Sequence, residues 1–161
     1  MANTIIGVMG PGEGATQQNI SDATELGKLI AEKEWVLLTG GRNVGVMNAA
    51  SKGAQQAGGL IVGILPSENR DNSSPYVDIP ICTGMGGARN NINVLSSDVV
   101  VACGMGAGTT TEIMLAIKAQ KPLLLLNAKQ SLMEYLEVLP YPSPKQATSP
   151  AQLISFITPI L

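Results

Sequence analysis

The sequence predicts an α/β fold: a doubly wound, mostly parallel sheet with helices on both faces. Three observations predict it. Short apolar, β-branched runs such as Val99-Val100-Val101-Ala102-Cys103 alternate with longer segments at helical spacing, which is the pattern of βαβ units. The first, second and penultimate core runs each break into a glycine turn: Gly10-Pro11-Gly12-Glu13-Gly14, Gly40-Gly41-Arg42-Asn43-Val44-Gly45 and Gly104-Met105-Gly106-Ala107-Gly108. In parallel sheets the carboxyl ends of the strands form the ligand crevice, so these three turns are expected to meet at one edge.

Taken in order, Thr4–Met9 reads as the first strand. From Gln17 to Lys33, the positions Ile20, Ala23, Gly27 and Ile30 keep helical spacing behind Thr16, a good N-cap. Trp35–Thr39 is the second strand, and the helix after its glycine turn runs to about Ala57 with Ala49, Ala50, Gly53 and Ala54 inward. Side chains that small predict close packing on the sheet or on another backbone. Leu60–Leu65 is the third strand. The polar stretch from Pro66 to Tyr76 reads as a loop, either a lid over a site or a mobile segment.

Val77–Cys82 reads as a short strand, and Gly84-Met85-Gly86-Gly87 introduces a helix over Ala88–Ser96. On that helix Arg89 and Asn93 share a face, while Ala88, Ile92 and Leu95 are expected to point inward. After the strand at 98–103, Thr109 is expected as an N-cap with Glu112 as its capping-box partner, ahead of Ile113, Ala116 and Ile117 at helical spacing. Leu123–Leu126 is the final core strand expected. Prolines 140, 142, 144 and 150 make 139–150 a rigid exposed connector, and Ser149-Pro150-Ala151-Gln152 is a capping box for a closing helix, Ala151–Ile157.

The 161 residues suit one domain, 1–161, large enough for a real core. A net charge of −2 provides no basic footprint for nucleic acid. Charged residues are 14% of the chain, against roughly 25% in an average globular protein. A surface so poor in charge is expected to be covered in part by other copies, as a dimer or tetramer. Two separated cysteines, no signal-peptide pattern and no apolar run near the roughly 18 residues needed to cross a bilayer point to the cytoplasm, away from membranes. Without histidine, Ser-His-Asp and Cys-His triads and HExxH zinc sites are excluded, and no metal-ligand cluster can be read.

The glycine turns leave backbone amides open at helix starts, where the positive end of the macrodipole favours an anion, most often a phosphate. Gly10, Pro11 and Gly12, then Gly40, Gly41, Asn43 and Gly45, then Gly104, Gly106 and Gly108 are the backbone candidates. None of the turns carries the lysine of a P-loop, and Gly10-Pro11-Gly12 does not continue as GxGxxG, which disfavours ATP hydrolysis of that type and NAD. Arg42 and Arg89 stand beside glycines at strand exits, where a guanidinium can take an oxyanion bidentately; the alternative for each is a surface ion pair. Of Thr109, Thr110 and Thr111, one is expected to cap the helix and the others to be free for an oxyanion. Met47, Met85 and Met105 are either soft walls for a flat ring or packing beneath the loops, and Cys103 reads as a core residue.

With these residues in hand, the chain resembles a known superfamily over nearly its whole length. Leu38-Thr39-Gly40-Gly41-Arg42-Asn43-Val44-Gly45-Val46-Met47, Ala88-Arg89-Asn90-Asn91-Ile92-Asn93-Val94 and Gly106-Ala107-Gly108-Thr109-Thr110-Thr111-Glu112 are similar to signatures shared by the molybdenum cofactor carrier proteins and the Lonely-guy cytokinin-activating phosphoribohydrolases, often labelled lysine-decarboxylase-like. In the phosphoribohydrolases the last motif reads PGGxGTxxE, and its glutamate and an upstream arginine are catalytic; Glu112 and Arg89 match them. Gly104 and Met105 stand in place of that motif's Pro and first Gly, and Asn90 replaces the lysine after the arginine, so the motifs look more like the carrier branch. What the resemblance implies is a Rossmann-like homotetramer that binds and shields molybdopterin, a pterin with a terminal phosphate, and passes it to molybdoenzymes. The alternative it implies is hydrolysis of nucleoside 5′-monophosphates.

Overall fold

The computed structural model describes residues 3–161. Its strands are β1 (Ile5–Met9), β2 (Val36–Thr39), β3 (Ile61–Leu65), β4 (Ile79–Cys82), β5 (Val99–Cys103), β6 (Leu123–Leu126) and β7 (Lys145–Ala147). All neighbouring strands pair parallel, in the order β4-β3-β2-β1-β5-β6-β7. The chain steps outward from β1 to β4, then returns to lay β5 on the other side of β1. The carboxyl ends of β1 and β5 therefore flank the point where the winding reverses, which is where an open α/β sheet leaves a crevice.

Among the described residues six α-helices cover the sheet: α1 (Gln17–Glu32), α2 (Gly45–Gln56), α3 (Asn90–Leu95), α4 (Ala107–Lys118), α5 (Gln130–Glu137) and α6 (Pro150–Ile157). Alternation along each strand divides the core between the two faces. Val99, Val101 and Cys103 of β5 pack with Leu26 and Ile30 of α1, Ala50 of α2 and Leu153 of α6. Val100 and Ala102 pack with Val94 of α3, Ile113 of α4 and Leu136 of α5. The small residues of α1 and α2 let the two backbones touch: a Cβ on Gly27 would strike the Ala50 carbonyl, and one on Gly53 the Thr24 carbonyl. Both packings that the composition allows are thus used by α2, which lies on the sheet and against the α1 backbone.

The caps hold where polar side chains are spare. Thr16 accepts from the Asn19 amide while Asn19 Oδ1 accepts from the Thr16 amide; Ser149 accepts from the Gln152 amide, but Gln152 Oε1 accepts from the Thr148 amide instead of Ser149's, so only half of the expected box closes. Two expectations are corrected. First, residues 139–150 are more than a connector: Lys145–Ala147 form β7, which buries Ala147 beside β6 and replaces Leu123–Leu126 as the last strand. Only three residues long and with two of them exposed, β7 lacks the apolar run by which a strand is recognised.

The second correction is the face of the segment after β4. A 3₁₀ turn, Gly86–Arg89, precedes α3, and the inward residues are Arg89, Asn90, Asn93 and Val94, while Ala88 is exposed and Leu95 is 53% exposed. The helix is turned so that its polar side is buried because that side looks into the crevice and finds partners there.

Among the described residues no helix is long and apolar enough to cross a membrane.

Candidate functional site

A cleft of about 490 Å³ opens at the carboxyl ends of β1, β2 and β5, within the range of small-molecule sites. The three glycine turns do converge there. Gly10, Pro11 and Gly12 form one wall, Gly40 and Arg42 a second, and Met105, Gly106, Gly108 and Thr109 a third, with Arg89, Asn90 and Glu112 also lining it. Met9, Glu13, Met47, Pro66 and Gly87 line it as well. Of these, Glu13 and Pro66 carry no periodic signal by which sequence alone would place them at a site.

Seven of the candidate binding residues read from the sequence lie outside the cleft, among them Thr111, whose Oγ1 turns back to the Ala107 carbonyl at 3.0 Å. Gly41 has φ +75°, packs against Gly63, and gives its amide to Thr39 Oγ1 at 3.0 Å. The Asn43 amide is spent on the Asn72 carbonyl, and its side chain is exposed. Gly45 packs against the Pro11 and Gly12 carbonyls, and Gly104, with φ +82°, against the Asn19 side chain. Met85 is 48% exposed, and Thr110 Oγ1 turns back to the Gly106 carbonyl at 2.9 Å. Of the loop after β3, only Pro66 lines the cleft. Ser74 donates its amide to the Gly41 carbonyl at 2.8 Å, and Ser73 bridges Arg42.

The helix starts differ in what they leave open. At α1 the Thr16–Asn19 box is closed. At α2 the Val46 amide is taken by the Pro11 carbonyl at 3.0 Å. At α4 the N-cap is Gly106, with no side-chain cap, so the first amides, which have no intrahelical acceptor, face the cleft. The expectation that Thr109 caps α4 is therefore corrected. Thr109 lies inside the first turn, 2% exposed, and its Oγ1 has no hydrogen-bond partner.

Glu112 is correspondingly free of a capping duty. It is 6% exposed, and its Oε1 accepts from Asn93 Nδ2 at 2.8 Å. Burial pushes its carboxyl up to about 7, against the opposing pull of the Asn93 hydrogen bond and the Arg89 charge.

Arg89 is 8% exposed. Its Nη1 donates to Asn90 Oδ1 at 2.6 Å and its Nη2 to the Gly40 carbonyl at 3.4 Å, while the buried Nε has no partner. Desolvation lowers its pKa, and Glu112 partly offsets this. Among the described residues Arg89 and Glu112 form no direct ion pair. On the rim, Arg42 Nη2 pairs with Glu13 Oε1 at 2.7 Å. Cys103 takes no part: it is buried, donates weakly to the Asn19 carbonyl at 3.7 Å, and burial pushes its thiol up to about 12.

The arrangement can therefore hold an oxyanion at the start of α4, with soft apolar walls from Pro11, Met47 and Met105 beside it. The model of the SLOG cluster4 family matches residues 3–154. A molybdenum cofactor binding protein from the phototrophic bacterium Rippkaea orientalis is 56% identical, with a TM-score of 0.97 over 99% of this chain and 98% of that one. The molybdenum cofactor carrier protein of Chlamydomonas reinhardtii is 44% identical, with a TM-score of 0.92 over 99% and 98%. A cytokinin riboside 5′-monophosphate phosphoribohydrolase from Mycobacterium tuberculosis is 32% identical over 56% of this chain and 50% of the enzyme. By fold, by motif and by these matches, the chain belongs to the SLOG cluster4 family and stands with the molybdenum cofactor carrier proteins in the Rossmann-like superfamily they share with the phosphoribohydrolases.

Proposed function

We propose that this protein is a molybdenum cofactor carrier, binding molybdopterin as cargo in the cleft at the β1/β5 switch point and shielding it. The single observation that carries the site assignment is the start of α4: an uncapped helix end, with the Thr109 hydroxyl buried and unpartnered beside it. Those donors fit a phosphate, and the unpartnered Nε of Arg89 adds a charged one. The apolar wall of Met47, Met105 and Pro11 fits a flat ring. The protein's work in this reading is burial, since a deep and partly apolar site slows the access of water and oxidant.

The carrier is a cytoplasmic homo-oligomer, tetrameric or dimeric, that passes its cargo to molybdoenzymes. Supporting the assembly, Ile79, Ile81, Leu95 and Val138 are 46%, 43%, 53% and 77% exposed on a chain poor in charge. Protein purified from a cofactor-producing host is expected to carry pterin and molybdenum, detected by mass spectrometry and elemental analysis. It is also expected to slow aerobic loss of the cofactor and to activate an apo-molybdoenzyme. Protein that neither retains nor protects the cofactor overturns the reading.

One observation favours a second reading. Glu112 and Arg89 share the cleft, as the catalytic pair of a nucleoside 5′-monophosphate phosphoribohydrolase would. Against it, Glu112 is held by Asn93 and the Arg89 guanidinium by Asn90 and Gly40. Incubation with nucleoside 5′-monophosphates is expected to release no free base or ribose 5-phosphate; release abolished by Glu112→Ala would decide for the enzyme.

A further inference from the structure

The Asn93 amide and the Glu112 carboxyl face each other across the contact of α3 with α4. One half of the amide is accounted for, because Nδ2 donates to Glu112 Oε1 at 2.8 Å. The other half is not, because Oδ1 is buried with no hydrogen-bond partner. A primary amide and a carboxylic acid are complementary: the amide N–H donates to the acid's carbonyl oxygen, and the acid's O–H donates to the amide oxygen. An ionised carboxylate is acceptor-only and fills half of that ring, leaving Oδ1 unsatisfied against a negative charge. The N–H···O bond serves either form of Glu112, whereas within the pair only the protonated form has a donor to offer the orphan oxygen.

The surroundings do not force ionisation. Arg89, from the 3₁₀ turn, is the nearest charge, but its guanidinium is engaged by Asn90 and Gly40 and forms no ion pair with Glu112. Arg42 and Glu13, from the turns after β2 and β1, stand on the rim and neutralise each other. The titratable group of β5, Cys103, packs on the opposite face of the sheet, and α3 presents Asn93. Burial supports the same protonated state by raising the carboxyl's affinity for its proton.

Glu112 also lies about one helical turn below the open amides at the start of α4. A carboxylate there repels an anion bound to those amides; a carboxylic acid does not. We propose that Glu112 and Asn93 form an acid–amide pair in the floor of the cleft that is neutral when a doubly charged oxyanion is seated on the start of α4, so that binding takes up a proton from solvent wherever the free carboxyl is ionised and weakens in alkaline solution. The inference rests on the placement of the ligand's anionic group in the proposed function. It adds that retention of the cargo is proton-linked, with alkaline conditions favouring release.

The test uses the full chain and sulfate, whose charge stays fixed across the range. The carbon-13 shift of the Glu112 carboxyl in the unmutated protein is followed from about pH 6 to about pH 8, with and without sulfate. Sulfate affinity is read in parallel from the amide shifts of Gly108 and Thr109. The carboxyl is expected to be protonated at the acid end and to titrate at higher pH when sulfate is bound. The affinity is expected to fall several-fold with rising pH, toward a limit of about ten-fold per unit. In Glu112→Gln, which keeps the ring without the titration, the affinity is expected to be flat.

A carboxylate already ionised at the acid end, or the same pH dependence in Glu112→Gln, overturns the proposal. Cofactor retention at one fixed pH keeps the two readings apart. A protein that holds cofactor but binds sulfate equally at every pH sinks the proton linkage alone. One that shows the linkage but retains no cofactor sinks the carrier reading alone.

Discussion

Gly40 lies directly against Arg89: a Cβ at that position would stand 2.8 Å from Arg89 Nη2 and 2.7 Å from Met47 Sδ. Both neighbours are the far ends of flexible side chains, so an added methyl shifts them and leaves the sheet intact. Gly40→Ala is therefore expected to fold, to lose about 1–3 kcal/mol from overpacking, and to displace the guanidinium from the cleft. Anion affinity should fall several-fold more than in Gly14→Ala, a control in open space on the same rim. Equal affinities in the two variants, measured by calorimetry, would mean that the position of Arg89 does not matter for binding.

Thr109 offers a cleaner separation of stability from binding. Its hydroxyl is buried with no partner, so the folded protein carries a desolvation cost that no hydrogen bond offsets. Thr109→Val keeps the shape and removes that cost. The variant is expected to gain up to about 1 kcal/mol in urea unfolding and to bind a phosphate group roughly ten-fold more weakly. A variant that loses stability would show that the hydroxyl has a partner in the ligand-free protein.

The inner strands β1, β2, β3, β5 and β6 could be read from the sequence because they are buried on both faces, and a run such as Val99–Cys103 then has no alternation to misread. The glycine turns could be read too, and those after β1, β2 and β5 do meet. What could not be read was which amides are already spent. Gly41 gives its own to Thr39, a contact two residues away that leaves no mark in the pattern. α3 was misread for a related reason. The buried polar side runs from Arg89 of the 3₁₀ turn to Asn90 and Asn93 of α3, and its burial is tolerable because Gly40 and Glu112, distant in sequence, supply partners to Arg89 and Asn93 while Asn90 accepts from Arg89. Thr109 and Glu112 have the spacing of a capping box, yet Gly106 starts the helix earlier and leaves both side chains for the cleft.

Glu112 makes stability depend on pH with a definite sign. Its carboxyl loses its proton near 4.5 when unfolded but near 7 when folded, so between those values the folded state binds more protons. The stability this contributes is fully present below about 4.5 and lost as pH rises through about 7. The shift corresponds to roughly 3 kcal/mol. Glu112→Gln should lack that slope, so the variant is expected to unfold later than the unmutated protein in urea at pH about 8. Parallel curves for the two proteins from about pH 5 to about pH 8 would place the titration elsewhere.

The rim pair sets how strongly Arg42 can act on a ligand. Arg42 is half-exposed and spends its charge on Glu13, whose carboxyl is held below its usual range by a hydrogen bond to its own backbone and by Arg42. Because the Glu13 side chain is 74% exposed, the pair sits in water and adds little to stability. Its consequence lies in the field at the mouth of the cleft, where an acid and a base cancel. Glu13→Gln removes the acid and frees the guanidinium, so anion affinity is expected to rise several-fold at low salt. The gain should shrink as salt brings the screening length below the width of the mouth. The thermal midpoint should barely move. Arg42→Gln should do the reverse, lowering affinity by leaving Glu13 uncancelled. If Glu13→Gln weakens binding instead, Glu13 is holding Arg42 in its productive orientation and the pair acts as a positioning device.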